Sequence, residues 1–285
     1  MLIDLHCHST FSDGSYTPLE LLEMAEKQKI ELFAITDHDT IAGTLIAMQH
    51  AEKYPFKYIV GVEISANLKG KKYEILGYNF DISSTTIADA LNYLQECRKA
   101  RLFTILERLK KVDIYLDYAD IMEQVEEEGS PGRPHVAKAL IAKGFAKDVD
   151  DAFARYLNPG KPGYVQKKAY TPKQAIDIIK RAKGTPILPH PLQFEYKDSK
   201  RFEEMLEMFL EWGIEGIEVF YDYSYYDPPL PENLVRKRIE ELRIFCRKHD
   251  LLETVGSDFH GYKGQLGSVK MPEDAAKKII DYFFE

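Results

Sequence analysis

Eight histidines mark the chain. His6, His8, His38, His135, His190 and His260 sit at the ends of expected strands or beside Asp or Pro, whereas His50 and His249 fall in helical stretches and look incidental. His6 and His8 stand two apart, so the strand period of two puts both imidazoles on one face and Cys7 on the other. Such a pair can chelate a metal, although a strand-end histidine with only a local hydrogen bond would give the same signal. Further strand ends supply Asp37-His38-Asp39, Glu63, His190 and Asp258-x-His260, with Glu74 inside a strand. So many imidazoles and carboxylates on one face would repel one another and desolvate at heavy cost unless cations were present. Donors of these types without thiolate suit Mn²⁺, Fe²⁺ or Zn²⁺. Their number exceeds the ~3–4 protein groups that one catalytic ion takes, which predicts two or three divalent metals. Cys7 reads as a small core residue.

The elements that must position these groups are short apolar runs at residues 2–5, 32–36, 58–62, 73–76, 186–188, 214–220 and 253–256, alternating with helical segments. That alternation predicts an α/β fold with a parallel sheet or barrel, whose strand ends open on a common face. Thr17 and Thr171 read as N-caps, followed by Pro18 or Pro172 and by Glu20 or Gln174 three residues on, the capping-box pattern. Each box follows a tyrosine and leads through a helix and a strand to a histidine, His38 or His190, which hints at a repeated βα unit. Between residues 83 and 168 strand signals vanish, while helical periodicity runs through 87–110, 118–127, 135–143 and 149–156. The expected organisation is a barrel from residues 1–97 and 168–285, with an inserted helical substrate-binding subdomain at 98–167. Lys69-Gly70-Lys71-Lys72 reads as a hairpin turn with solvated charges, and residues 126–128 as an exposed helix end.

Composition bounds the partners. A 285-residue chain with 45% hydrophobic and 29% charged residues is ordinary globular protein and excludes a disordered or collagen-like one. Thirty-eight basic against 46 acidic residues, a net charge of −8, leave no footprint for long nucleic acid or an anionic membrane. A short anionic substrate requires only local cations. Cys7, Cys97 and Cys246 are too widely spaced for a disulfide framework or a CxxC pair. With no signal-peptide pattern and no apolar run of ~18 residues, a cytoplasmic, soluble protein is expected, its oligomeric state open.

His6-x-His8-Ser9, Asp13-Gly14, Thr36-Asp37-His38-Asp39, Gly61-Val62-Glu63-Ile64, His190-Pro191 and Gly256-Ser257-Asp258-x-His260-Gly261, taken together, resemble the PHP (polymerase and histidinol phosphatase) superfamily over nearly the whole chain. Ser130-Pro131-Gly132-Arg133-Pro134-His135 and Asn158-Pro159-Gly160-Lys161-Pro162-Gly163 resemble its branch of nucleoside 3′,5′-bisphosphate phosphatases and short-RNA 5′→3′ exonucleases. The resemblance implies a distorted (β/α)7 TIM-like barrel and a trinuclear centre. His6, His8, Glu63 and Asp258 would surround one ion, Glu63 and His190 would serve a second, and Asp13, His38 and His260 a third. One position departs: where the pattern Glu-x-His-x-Leu-Gly puts histidine, this chain has Glu74, a possible ligand that adds negative charge and favours harder ions.

The implied reaction is phosphate-ester hydrolysis by metal-bound hydroxide, with Asp258 in the catalytic set. Arg133 would grip a phosphate bidentately, His135 would bind phosphate or protonate the leaving oxygen, and Lys161 would act as a mobile point charge. Against this, Arg133 could merely pair with Glu127 or Glu128, and His135 could simply open a helix. Asp37 or Asp39 would orient His38. The tyrosine-rich stretch 220–226, leading into Asp227-Pro228-Pro229, would stack a base or fill a gap at the barrel mouth, and the parity of Glu218 is open. The expected activity is removal of the 3′-phosphate from nucleoside 3′,5′-bisphosphates such as pAp, with trimming of short RNA from its 5′ end. The rivals are a histidinol-phosphate-like phosphomonoesterase, a non-catalytic metal-binding scaffold, which would show gaps in the ligand set, and amide hydrolysis, which would want a strand lysine.

Overall fold

The computed structural model of the chain describes residues 1–125, 131–225, 230–261 and 264–284. The acidic run at 126–128, Ser130, and the loop residues 226–229 lie outside the described residues. From the start of the chain, β1 (Ile3–Asp4), α1 (Pro18–Lys27), β2 (Leu32–Phe33), α2 (Ala42–Ala51) and β3 (Lys57–Tyr58) build a three-stranded parallel sheet in the order β1-β2-β3. A second sheet begins with β4 (Gly61–Leu68) and β5 (Lys71–Tyr78). The chain then leaves it through α3 (Thr85–Lys110), α4 (Tyr118–Met122), α5 (Arg133–Ala142) and α6 (Val149–Ala152), and comes back through α7 (Pro172–Arg181). Strands β6 (Thr185–Leu188), β7 (Gly216–Tyr221) and β8 (Leu252–Gly256) complete the sheet, spaced by α8 (Ser199–Trp212) and α9 (Glu232–Lys248), and α10 (Glu273–Phe284) follows.

Strands β6, β7 and β8 are parallel, but β5 runs antiparallel to both β4 and β6. The parallel order expected of the sheet is interrupted at β5, for a local reason. Lys69 and Gly70 both adopt left-handed φ, 51° and 89°, the backbone of a two-residue hairpin turn, so β5 must fold back along β4. The single strand expected at 58–62 is two strands, interrupted between Tyr58 and Gly61. Both capping boxes form: Thr17 accepts from the Glu20 amide and Thr171 from that of Gln174, and the Glu20 and Gln174 side chains return to the cap amides.

The two sheets meet along two seams of single bridges. Leu5 N donates to Val255 O at 3.1 Å, Asp258 N to His6 O at 2.8 Å and His8 N to Phe259 O at 2.9 Å. At the other seam Glu63 N donates to Asp37 O at 3.2 Å and Asp39 N to Glu63 O at 2.9 Å. The described strands therefore form two sheets that isolated bridges join along both seams.

Helix α3 is shared between two cores. Ile87, Ala90, Leu91 and Leu94 pack with the second sheet, whereas Leu102, Ile105, Leu106 and Leu109 join Ile121, Leu140 and Leu157 in a separate cluster. The boundary expected at 97/98 falls between these two halves of one continuous helix. Among the described residues no helix is long and apolar enough to cross a membrane.

Candidate metal centre

The seams carry the chemistry. His6 and His8 follow β1 with ring centroids 5.3 Å apart, while Cys7 between them turns into the core, its Sγ 3.5 Å from Ala34 O. Donor atoms gather in four overlapping groups, each within 4.8 Å: His8, Asp13, His38 and His260; His6, Glu63 and His190; His6, His8 and Asp258; His38, Glu63 and Glu74. Every residue of the expected ligand set, Glu74 included, lies in this cluster. Two members are held in left-handed backbone, His190 at φ 29° and Asp258 at φ 51°. Such conformations cost ~1–3 kcal/mol in non-glycine residues and persist only where the surroundings impose them. Here the His190 amide donates to Glu218 Oε2 at 2.9 Å and the Asp258 amide to His6 O at 2.8 Å.

The donor set fits divalent ions. His6 Nε2, His8 Nε2, His38 Nδ1, Asp13 Oδ1 and Glu63 Oε2 are buried without a hydrogen bond, and His190 turns its Nε2 to Glu63 Oε1 at 3.3 Å. His38 Nδ1 and Glu63 Oε2 lie only 2.8 Å apart, yet their geometry is not that of a hydrogen bond. Each such atom costs ~1–3 kcal/mol unless something satisfies it, and a cation satisfies several lone pairs at once. Tautomers are set to match. His6 Nδ1–H donates to Glu218 Oε1 at 3.0 Å, leaving the Nε2 lone pair to face Glu63 and Asp258. His260 Nδ1–H donates to Asp258 O at 2.7 Å, leaving Nε2 3.2 Å from Asp13.

Charge in the cluster is balanced by protons in the metal-free chain. Burial disfavours every charged form, but the facing imidazoles hold Asp13, Glu63 and Asp258 well below the usual carboxylate range. Burial likewise works against the imidazoliums of His6 and His38, yet Glu218 and Glu63 raise the first and Glu63 and Asp13 hold the second up at about 9. His8, pressed by burial and by His260 and His38, drops to about 4. A divalent ion would take the place of those protons and release them.

Several neighbours were not read from the sequence. Glu218 buttresses His6 and His190 together, and Tyr221 Oη donates to Asp258 Oδ2 at 2.8 Å. Asp37 and Asp39 act differently from expectation: among the described residues neither hydrogen-bonds the His38 ring. Asp37 takes Ser9 N at 2.7 Å and the Ser9 and Ser12 hydroxyls at 2.6 Å, fixing the turn that carries Asp13. Asp39 takes Ser65 N at 2.8 Å, Arg98 at 2.9 Å and Lys167 at 2.8 Å.

A cavity opens over the cluster, lined by Asp13, His38 and Glu74 together with Lys72, Arg98, Arg101, Arg133, His135 and Lys167. Arg133 and His135 begin α5, and His135 Nδ1 accepts from the Gly132 amide at 3.0 Å. His135 thus opens a helix and also lines the cavity, so the two readings of it are compatible. Its neutral ring must carry the proton on Nε2, and burial, reinforced by Lys138 and Arg98, lowers its pKa to about 4. Arg133 reaches Leu157 O at 3.4 Å and lies 5.5 Å from the Phe153 ring; its expected rivals Glu127 and Glu128 are outside the described residues. Lys161 is displaced from expectation: it sits on an exposed turn, its amide bonded to Asn158 O at 3.0 Å, and is not part of the cavity wall. The cavity lysines are instead Lys167 and Lys72, the latter read from sequence only as a solvated hairpin charge. The spacing Arg98-x-x-Arg101, one face of a helix, was the available signal for the other two cations.

Buried imidazoles and carboxylates suited to divalent ions, facing a wall of guanidinium and ammonium groups, define a metal-dependent hydrolase of phosphate esters. The PHP domain family matches residues 4–159, and the chain belongs to that family. It is 33% identical to a 5′-3′ exoribonuclease of Haemophilus influenzae over 257 residues, 90% of this chain and 89% of that protein. It is 29% identical to a 3′,5′-nucleoside bisphosphate phosphatase of Chromobacterium violaceum over 90% of this chain and 87% of the relative. Its structure is similar to that of a Bifidobacterium adolescentis protein described as a metal-dependent phosphoesterase, with TM-score 0.81, 30% identity and coverage of 99% and 96% of the two chains.

Proposed function

We propose that this phosphoesterase removes the 3′-phosphate from nucleoside 3′,5′-bisphosphates. The observation that carries the reading is the crowding of cations opposite the donor cluster. Arg98, Arg101 and Arg133 line one cavity; burial pulls the Arg101 guanidinium down to about 10, and Arg133 and Arg98 add a smaller repulsion that a substrate bearing two phosphates would relieve. His6, His8, Asp13, His38, Glu63, Glu74, His190, Asp258 and His260 would hold two or three ions, Mn²⁺, Fe²⁺ or Zn²⁺. When bound, these supply Lewis acidity at the phosphoryl oxygens and lower the pKa of water. The chain's own groups do the rest. Arg133 offers its planar fork to a phosphate, and Lys167 takes the role expected of Lys161. His135, neutral with its proton on Nε2, donates a hydrogen bond to a phosphate oxygen and so binds the substrate instead of acting as the acid in the free enzyme. Tyr221 fixes the carboxylate of Asp258. The two sheets, closed by their bridged seams, would serve as the distorted barrel, with residues 98–167 as the substrate-binding subdomain.

A second reading, cleavage of short RNA from its 5′ end, is supported by the identity to the Haemophilus influenzae exoribonuclease. The test is phosphate and nucleotide release by metal-depleted protein restored with Mn²⁺, comparing pAp, 5′-AMP, histidinol phosphate and a short 5′-phosphorylated RNA. Preferential release from pAp, abolished by chelator, is the expected result. Preference for histidinol phosphate would overturn the nucleotide assignment, and mononucleotides released from RNA with pAp untouched would leave the second reading in place of the first.

A further inference from the structure

The β4–β5 hairpin carries a cavity lysine, Lys72, that is already paired with a carboxylate of the donor set. Register sets Ser65 opposite Glu74 and Asn67 opposite Lys72, so the period of two puts Lys72 and Glu74 on the face that also presents Glu63. The Lys72 ammonium lies 2.6 Å from Glu74 Oε1, the oxygen that faces His38 Nδ1 at 3.8 Å, while Glu74 Oε2 faces His190 Nε2 at 3.8 Å. Glu74 is buried, but the Lys72 side chain is 66% exposed, so a flexible stem delivers its charge from solvent. Among the described residues, Lys72 is the one lysine or arginine ion-paired with a carboxylate of the donor set.

We propose that Lys72 is an internal cation for the Glu74 corner of the centre, where its ammonium competes with a divalent ion. The chain then holds two ions tightly, one through His6, His8 and Asp258 and one through Asp13, His38 and His260, and has no tight third ion at the corner formed by Glu63, Glu74 and His190. An ammonium and a dication on one carboxylate repel each other strongly at such separations. The ammonium is covalently tethered, so it is always present at high effective concentration. The inference rests on the metal-dependent reading above.

The test is metal stoichiometry, independent of turnover. Metal-free wild type, Lys72→Met, Lys72→Arg and Glu74→Gln are titrated with Mn²⁺ by calorimetry, and bound ions per chain are counted by elemental analysis, with thermal melting to verify folding. The wild type should hold two tight ions. Lys72→Met, which keeps the stem and removes the charge, should gain a third, or bind its weakest ion at least ~10-fold more tightly. Lys72→Arg and Glu74→Gln should stay at two. Three tight ions in the wild type, or no gain in Lys72→Met, would overturn the proposal while leaving the metal-dependent reading intact. A wild type that binds no ion would remove both.

Discussion

Glu218 decides which nitrogen of His6 faces the cluster, and it holds the strained His190 backbone as well. Replacing it with alanine leaves both donors unsatisfied, and loss of such an orienting partner typically weakens metal binding ~10–100-fold. Mn²⁺ titration of Glu218→Ala should show that loss; wild-type affinity would mean that Glu218 orients nothing of consequence. Most members of the donor cluster were legible in the sequence because their side chains announce their chemistry at strand ends, whereas Glu74 lay inside a strand and Asp13 came from the family resemblance. Glu218 escaped because parity along β7 is broken: the register with β8 shifts between Glu218 and Phe220, so counting by twos from either end gives opposite faces. His135 supports a pH prediction. Its folded pKa of about 4 lies below the ordinary 6.5, so between these values the unfolded chain binds more protons and acidification destabilises the fold. In urea unfolding of the metal-free proteins, the stability of wild type relative to His135→Gln should therefore fall by ~2 kcal/mol from pH 7 to pH 5. A pH-independent difference would show that the ring titrates normally.

At the scale of elements, what brings the seam between β1 and β8 close enough to work is a missing side chain. A methyl group on Gly256 would stand 2.2 Å from His6 Cβ and 2.3 Å from Glu218 Oε1. Gly256→Ala must push β8 off β1 or turn His6 out of the cluster. It should lower the melting temperature, with a cost of ~1–3 kcal/mol, and weaken Mn²⁺ binding together, whereas a normal value of both would mean that the seam yields freely. Local signals were legible here. The two capping boxes and the Lys69-Gly70 turn are decided within four residues, and all three formed as expected. Pairing was not legible, because it depends on partners far away. The turn predicts a hairpin, but that its second strand also lies antiparallel to β6, some 110 residues on, is written nowhere near it. Likewise Asp37 and Asp39 sit beside a candidate ligand in sequence, yet their partners come from distant elements, among them β4 and α3, so adjacency misled.

At the scale of the molecule, residues 102–157 bury their own apolar cluster, which shares α3 with the sheet core. If this segment only presents Arg133 and His135 to substrate, damage to its core should leave the metals alone. Leu140→Ala, at a fully buried position, removes ~2–5 kcal/mol of packing, and is expected to raise KM for pAp while leaving Mn²⁺ stoichiometry unchanged. Metal loss in that variant would show that the two cores are one cooperative unit. The clasp between the chain's first strand and its last has a further consequence. Asp4 receives the amides of Ser257 and Gly267, 253 and 263 positions away, in the very seam that sets His6 and His8 against Asp258 and His260. On a ribosome adding ~5–20 residues per second, the first two histidines wait roughly 12–50 s for those partners to be made. Until those residues emerge the donor set is incomplete, so an ion that meets the nascent chain earlier finds only part of its ligands.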